Sequence, residues 1–302
     1  MRSLARFVLF FAVCVLFAAV ASPGLCLGAR WLADHTTWEF ADYLARHPFH
    51  RYFNRCLQGA LLLGIWPLLR ASGFASLRAL GLRRPGAARD FFLGLATSLG
   101  VLALYTGLLL ALGWERVRDT PPVERLGGIL AGVALTAVLV AFLEEGFLRG
   151  YFFQMCRREG GSFFAYALQI LFFPVLHFVK PPNAAALGPV DAWSGFHMLG
   201  ASLGQFAHPS GIVGGLIVLA AIAWMLCRAL VCRGSLWMLI GMHAGWIVVL
   251  QLSSEFLQQG AAASSWPGWV LGGGNLSHGV LALVPLAVQA ALLGLLGKSR
   301  KP

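Results

Sequence analysis

The sequence predicts an all-α protein, a polytopic membrane bundle of about eight transmembrane helices. Three observations carry that prediction. Hydrophobic residues fill 58 % of the 302 positions and charged residues only 12 %, where a soluble domain carries about a quarter charged. Mean hydropathy is +0.74. The apolar residues gather into runs near the length that a hydrocarbon core of about 30 Å demands. A soluble fold would need a polar surface that so few acids and bases cannot easily supply.

In chain order the runs fall at 7–25, 56–70, 91–113, 127–148, 162–179, 211–231, 235–254 and 278–296. The first follows Arg2 and Arg6 and reads either as an anchor or as a secretory signal with an Ala-Val-Ala site. The second is short and contains Pro67. Between them, residues 28–55 are polar, aromatic and partly amphipathic, as suits a segment lying on the membrane surface or a plain linker. We therefore divide the chain into an N-terminal part, 1–90, and a main membrane domain, 91–302.

With the N-terminus inside, the inner segments carry fourteen Lys and Arg residues and the outer ones eight, Arg149 being left out as intramembrane. Residues 181–210 and 255–277 hold neither Lys nor Arg. The positive-inside rule then places both termini in the cytoplasm of a multi-pass protein of the cell's inner (plasma) membrane. A net charge of +11 suits loops facing anionic headgroups, so membrane lipid is the expected partner. No basic stripe interleaved with aromatics points to nucleic acid. The six cysteines show no C-x-x-C and read as small hydrophobes rather than a disulfide or metal framework.

Three polar features lie where apolar helix is expected, and charge there is costly unless paired or working. The first is Glu144, Glu145 and Arg149 in 141-AFLEEGFLRG-150. Glu145 and Arg149, four apart, share a helical face and can pair, while Glu144 points about 100° away, toward another partner. Gly146 and Gly150 offer a small-x-x-x-small step to a neighbouring helix. The alternative is one buried structural network holding all three charges.

The second feature is His177 in 172-FFPVLHFVKPP-182, just past Pro174. The third is His243, inside 234-GSLWMLIGMHAGWIVVLQL-252 and flanked by Gly241, Ala244 and Gly245, which leave room for a packed helix or a ligand. Each histidine alone also reads as a structural hydrogen bonder. Together, a carboxylate and two imidazoles on separate spans supply what hydrolysis needs: a base for water, and groups that orient it, hold a metal or donate to an oxyanion. Helical rise puts Glu144 about 21 Å above Arg158, His243 about 15 Å above Arg233 and His177 about 25 Å above Gly160. Convergence then requires tilt, a helix start beyond residue 160 or a bend at Pro174.

Two other mechanisms are weaker. 200-GASLG-204 matches G-x-S-x-G, but that pattern draws its meaning from a strand–turn–helix elbow. Ser202 is expected in an outer loop, with His197 and His208 the nearby imidazoles. Paired intramembrane polar groups also suit an ion-coupled transporter, although no inverted repeat is visible.

The same residues resemble the CPBP family of intramembrane proteases, which includes the CAAX prenyl endopeptidases of the Rce1 type and bacterial Abi relatives. Glu144, Glu145 and Arg149 match E-E-x-x-x-R. Phe173 and His177 match F-x-x-x-H, and 235-SLWMLIGMH-243 fits the third motif closely. The resemblance, over about residues 90–255, implies a protease domain in 91–302 that cleaves a membrane-associated protein or peptide. Glu144 activates water there, with Glu145, Arg149, His177 and His243 completing the catalytic set. Glu144, His177 and His243 could also hold a zinc ion. One position departs from the family: its Asn or Asp is Ile247 here, which neither donates nor accepts. Gln251, Asn275 or His278 could take the polar role. Otherwise the chain is a weakened or inactive scaffold or immunity protein.

Overall fold

In the computed structural model, the described residues are 2–179, 189–207, 212–271 and 279–298. They are almost wholly helical, and divide into two compact units: Met1–Ala75 with Leu176–Pro209, and Ser76–Val175 with Ser210–Pro302.

The first unit is built on α1 (Arg2–His35) and α3 (Phe49–Ala71), joined through the short α2 (Glu39–Ala45), with α7 (Ser194–Gly204) against α1. The Arg6 guanidinium donates to the Ala71 carbonyl at 2.5 Å, so the start of α1 meets the end of α3 and the two run antiparallel. Ala18, Ala19 and Cys26 pack with Phe49, Phe53, Cys56 and Met198. A Cβ on Gly195 would strike the Ala19 backbone, so only glycine lets α7 sit this close to α1.

The second unit is organised around α9 (Leu236–Phe256), whose residues 238–246 are all buried. α4 (Ala87–Ala111) crosses it through Gly94, Gly241 and Gly245. A Cβ on Gly94 would meet the Met238 carbonyl, and one on Gly241 the Phe91 carbonyl. The room beside His243 thus belongs to a packed helix. α5 (Leu126–Glu145) packs on α9 as well, and α8 (Val213–Arg233) and α11 (Leu283–Lys298) complete the core. Arg84 donates to the Arg233 carbonyl at 3.1 Å and to that of Gly234, which takes positive φ; a cation there satisfies the last carbonyls of α8. A two-stranded antiparallel pair, β1 (Glu115–Val117) and β2 (Leu257–Gln259), joins the α4–α5 connection to the end of α9.

A neutral polar chain runs through this core. Trp246 Nε1 donates to Gln289 Oε1 at 2.8 Å, and Gln289 Nε2 donates to Ser98 Oγ at 2.5 Å, all three residues being buried. It ties α9 to α11 and α4.

Five described helices are long and apolar enough to cross a membrane, not eight: Arg2–His35, Ala87–Ala111, Val123–Phe178, Val213–Arg233 and Leu236–Phe256. Three causes account for the difference. The expected spans 127–148 and 162–179 fall within one 56-residue run, Val123–Phe178, in which Gly161, at φ 81° and ψ 177°, makes a kink that separates two helices. The expected span 56–70 lies in α3, whose first turns carry His50, Arg51 and Arg55 and whose last carries Arg70. The last span is a short apolar helix, Val280–Gly294. The chain is a multi-pass membrane protein. Large apolar side chains such as Leu63, Leu104 and Phe163 point outward, as lipid in place of water permits.

Candidate active site

Glu145 closes α5, and the chain then widens into an eight-residue π-helix, Gly146–Phe153, before α6 (Gln154–Phe178). π-Helices are rare, run mostly to single turns and concentrate at functional sites. Their i→i+5 bonding changes which carbonyls are satisfied. Here Gln154 donates to the Gly150 carbonyl at 2.8 Å, and the fully buried Gln169 donates to the Leu148 carbonyl at 3.2 Å. Gly150 faces the Leu80 carbonyl and Leu236, while nothing approaches Gly146. The expected small-residue step is therefore used at one end only.

The π-helix carries Arg149, with no exposed surface. Its Nη1 donates to Glu145 Oε1 at 2.9 Å, and Glu145 is equally buried. The Phe173 ring lies under the guanidinium, 4.4 Å from Cζ. The phenylalanine of F-x-x-x-H is therefore a cation–π support for the arginine of E-E-x-x-x-R, a role the sequence did not reveal.

His243 departs from expectation. Its Nδ1 bonds to Glu145 Oε1 at 2.8 Å, while its Nε2 stands 4.0 Å from Glu144 Oε2. The spacing predicted Glu145 as the partner of Arg149 and left Glu144 to another partner. In the structure Glu145 holds both Arg149 and His243, and Glu144 faces the far side of the imidazole. Because Glu145 accepts from Nδ1, the neutral ring carries its lone pair on Nε2, toward Glu144. Glu145 Oε2 and Arg149 Nε and Nη2 have no hydrogen-bond partner among the described residues. The Glu144 side chain is about one-third exposed (34 %) against 11 % for His243, while its Oε2, the oxygen that faces the imidazole, is buried.

His177 belongs to the first unit and lies in the last turn of α6. Ile247 is half-buried and packs against the apolar cluster of α9, α8 and α11. Gln251 is half-buried further along α9, and Asn275 and His278 lie outside the described residues. Ser202 is not in a loop. It is buried in α7, and its hydroxyl donates to the Met198 carbonyl at 2.8 Å, an i−4 bond that helix geometry supplies. His208 lies outside the described residues.

Residues 126–249 match the family model of the type II CAAX prenyl endopeptidases, Rce1-like. This stretch is an Rce1-like domain of the CPBP protease family. It spans α5, the π-helix, α6, α7, α8 and most of α9, and so contains all five predicted site residues. Residues 1–125 and 250–302 lie outside the match. No curated protein and no solved structure matches the chain.

Among the described residues no group of three or more His, Cys, Asp or Glu is placed to hold a metal ion. Glu144, His177 and His243, the three ligands expected for a zinc ion, all lie within the Rce1-like domain.

Proposed function

We propose that the Rce1-like domain hydrolyses a peptide bond in a membrane-associated protein or peptide. The observation that supports this best is the placement of Glu144 Oε2 opposite His243 Nε2 at 4.0 Å, with the imidazole held from behind by Glu145. A water between the two donates one proton to Nε2 and presents the other to Glu144. Glu144 removes that proton as the water oxygen attacks the peptide carbonyl, and passes it to the leaving amine as the C–N bond breaks. On its place in F-x-x-x-H, we assign His177 to assisting Glu144 in the activation of water. Arg149 and Glu145 act as positioning residues: they fix the tautomer and angle of His243. The Lys and Arg distribution supports an inner (plasma) membrane protein with both termini cytoplasmic.

The test is cleavage of a membrane-anchored peptide by purified Glu144→Gln. We expect a loss of roughly 10²–10⁴-fold with folding unchanged, and parental cleavage would overturn the assignment. A second reading has one observation in its favour. Ile247, at the family's Asn or Asp position, is packed against apolar side chains, as suits a scaffold or immunity protein that has lost turnover. Parental protein that is folded yet cleaves no membrane-anchored peptide supports that reading.

A further inference from the structure

The elbow between α1 and α3 carries a row of rings that the hydrolytic site does not use. Trp31 stacks on His35 at 4.5 Å; Trp38 contacts Phe40 at 6.3 Å, Phe40 contacts Tyr43 at 6.4 Å, and Tyr43 contacts His47 at 4.7 Å. Trp31, Trp38, Phe40 and Tyr43 are all well exposed, at 58–61 %. The opposite side of α2 is the packed one. Ala41 is fully buried, and Tyr52 of α3 donates its hydroxyl to the Leu44 carbonyl at 2.6 Å. The elbow is thus firmly seated on its own unit and turns its aromatic side outward.

Helix lengths place this row along the membrane normal. The contact of Arg6 with the Ala71 carbonyl sets the lower ends of α1 and α3 at one level. From Arg6 to Arg30 along α1 is about 36 Å of helix. That exceeds a hydrocarbon core of about 30 Å. The elbow therefore emerges where hydrocarbon gives way to headgroups, the level at which Trp and Tyr concentrate because one end of the ring is apolar and the other polar. Its cations, Arg30, Arg46, Arg51 and Arg55, are offset by Asp34, Glu39 and Asp42, so the rings rather than net charge set the preference.

We propose that the α1–α3 elbow is an interfacial anchor whose partner is the lipid headgroup region, in the leaflet opposite the one that meets Arg2 and Arg6. Trp31, Trp38, Phe40 and Tyr43 enter that region edgewise and fix the depth of the first unit. This decides between surface segment and plain linker for residues 28–55, and it stands whether or not the protein cleaves peptides.

Depth measurement by spin label tests it on the full chain, in vesicles of phosphatidylethanolamine and phosphatidylglycerol. Cys232, the exposed cysteine, is replaced by serine, and a nitroxide is placed at Phe40→Cys, with Val13→Cys as the mid-span reference. Oxygen and aqueous-nickel accessibilities should put the Phe40 label about 5–10 Å into the headgroup–acyl boundary, well above the Val13 label. A Phe40 label as open to nickel as one in bulk water would overturn the proposal. So would a label shielded from both reagents, which would mean that protein covers the rings. The same label at Tyr43, on the same face of α2, gives the reading if Phe40→Cys does not fold.

Discussion

Helix α9 passes through two buried polar networks whose contrast is instructive. Around Trp246, three neutral groups form a chain in which each side chain finds its hydrogen-bond partner within the core. Three residues away, His243 joins a charged cluster built differently. Glu145 and Arg149 are completely buried, yet they keep polar atoms without partners among the described residues, and Glu144 is partly exposed beyond the imidazole. A network that only holds helices together is at its best when closed. One that must receive water and a peptide is open on one side. The first ties α4, α9 and α11; the second ties α5 and the π-helix to α9 and leaves part of the Glu144 side chain exposed.

The contrast can be broken from either side. The largest stability effect is expected for Arg149→Met, which leaves Glu145 charged, buried and without its cation; about 3–5 kcal/mol should be lost in denaturation of the purified protein. Gln289→Leu opens the closed chain and strands the Trp246 indole N–H and the Ser98 hydroxyl. The expected cost is about 1–3 kcal/mol, with cleavage per folded molecule unchanged. Phe173→Leu keeps an apolar side chain but removes the ring beneath Arg149, for about 0.5–2 kcal/mol in the same assay. Ser202→Ala removes one hydroxyl bond within α7, so stability and cleavage should both stay near parental. A collapse of cleavage there would revive a serine mechanism.

The site was more legible in the sequence than the span count. Charge inside an apolar run costs enough to announce itself, so Glu144, Glu145, Arg149 and His243 could be singled out one by one. The four-residue spacing of Glu145 and Arg149 correctly gave their ion pair. The bond between Glu145 and His243 was hidden because it joins two helices 98 positions apart, and nothing in either segment encodes which of two adjacent glutamates meets the ring. The π-helix was equally hidden: FLRGYFF has no feature that separates it from ordinary helix, and its stability draws on Gln169 from another segment. The span count failed for a related reason. Hydropathy marks where apolar residues lie, but not that the chain stays helical up to either side of the Gly161 kink. Ser202 shows the reverse case, a motif that matched in letters and was emptied of meaning by its helix.

The central claim is that two adjacent glutamates do different work, Glu144 on water and Glu145 on Arg149 and His243. Glu144→Gln and Glu145→Gln, purified side by side, test it most directly through denaturation midpoint and cleavage of a membrane-anchored peptide. The account predicts that Glu144→Gln keeps the parental midpoint and loses roughly 10²–10⁴-fold in cleavage, while Glu145→Gln lowers the midpoint. Parental cleavage by folded Glu144→Gln, or an unchanged midpoint in Glu145→Gln, would contradict it.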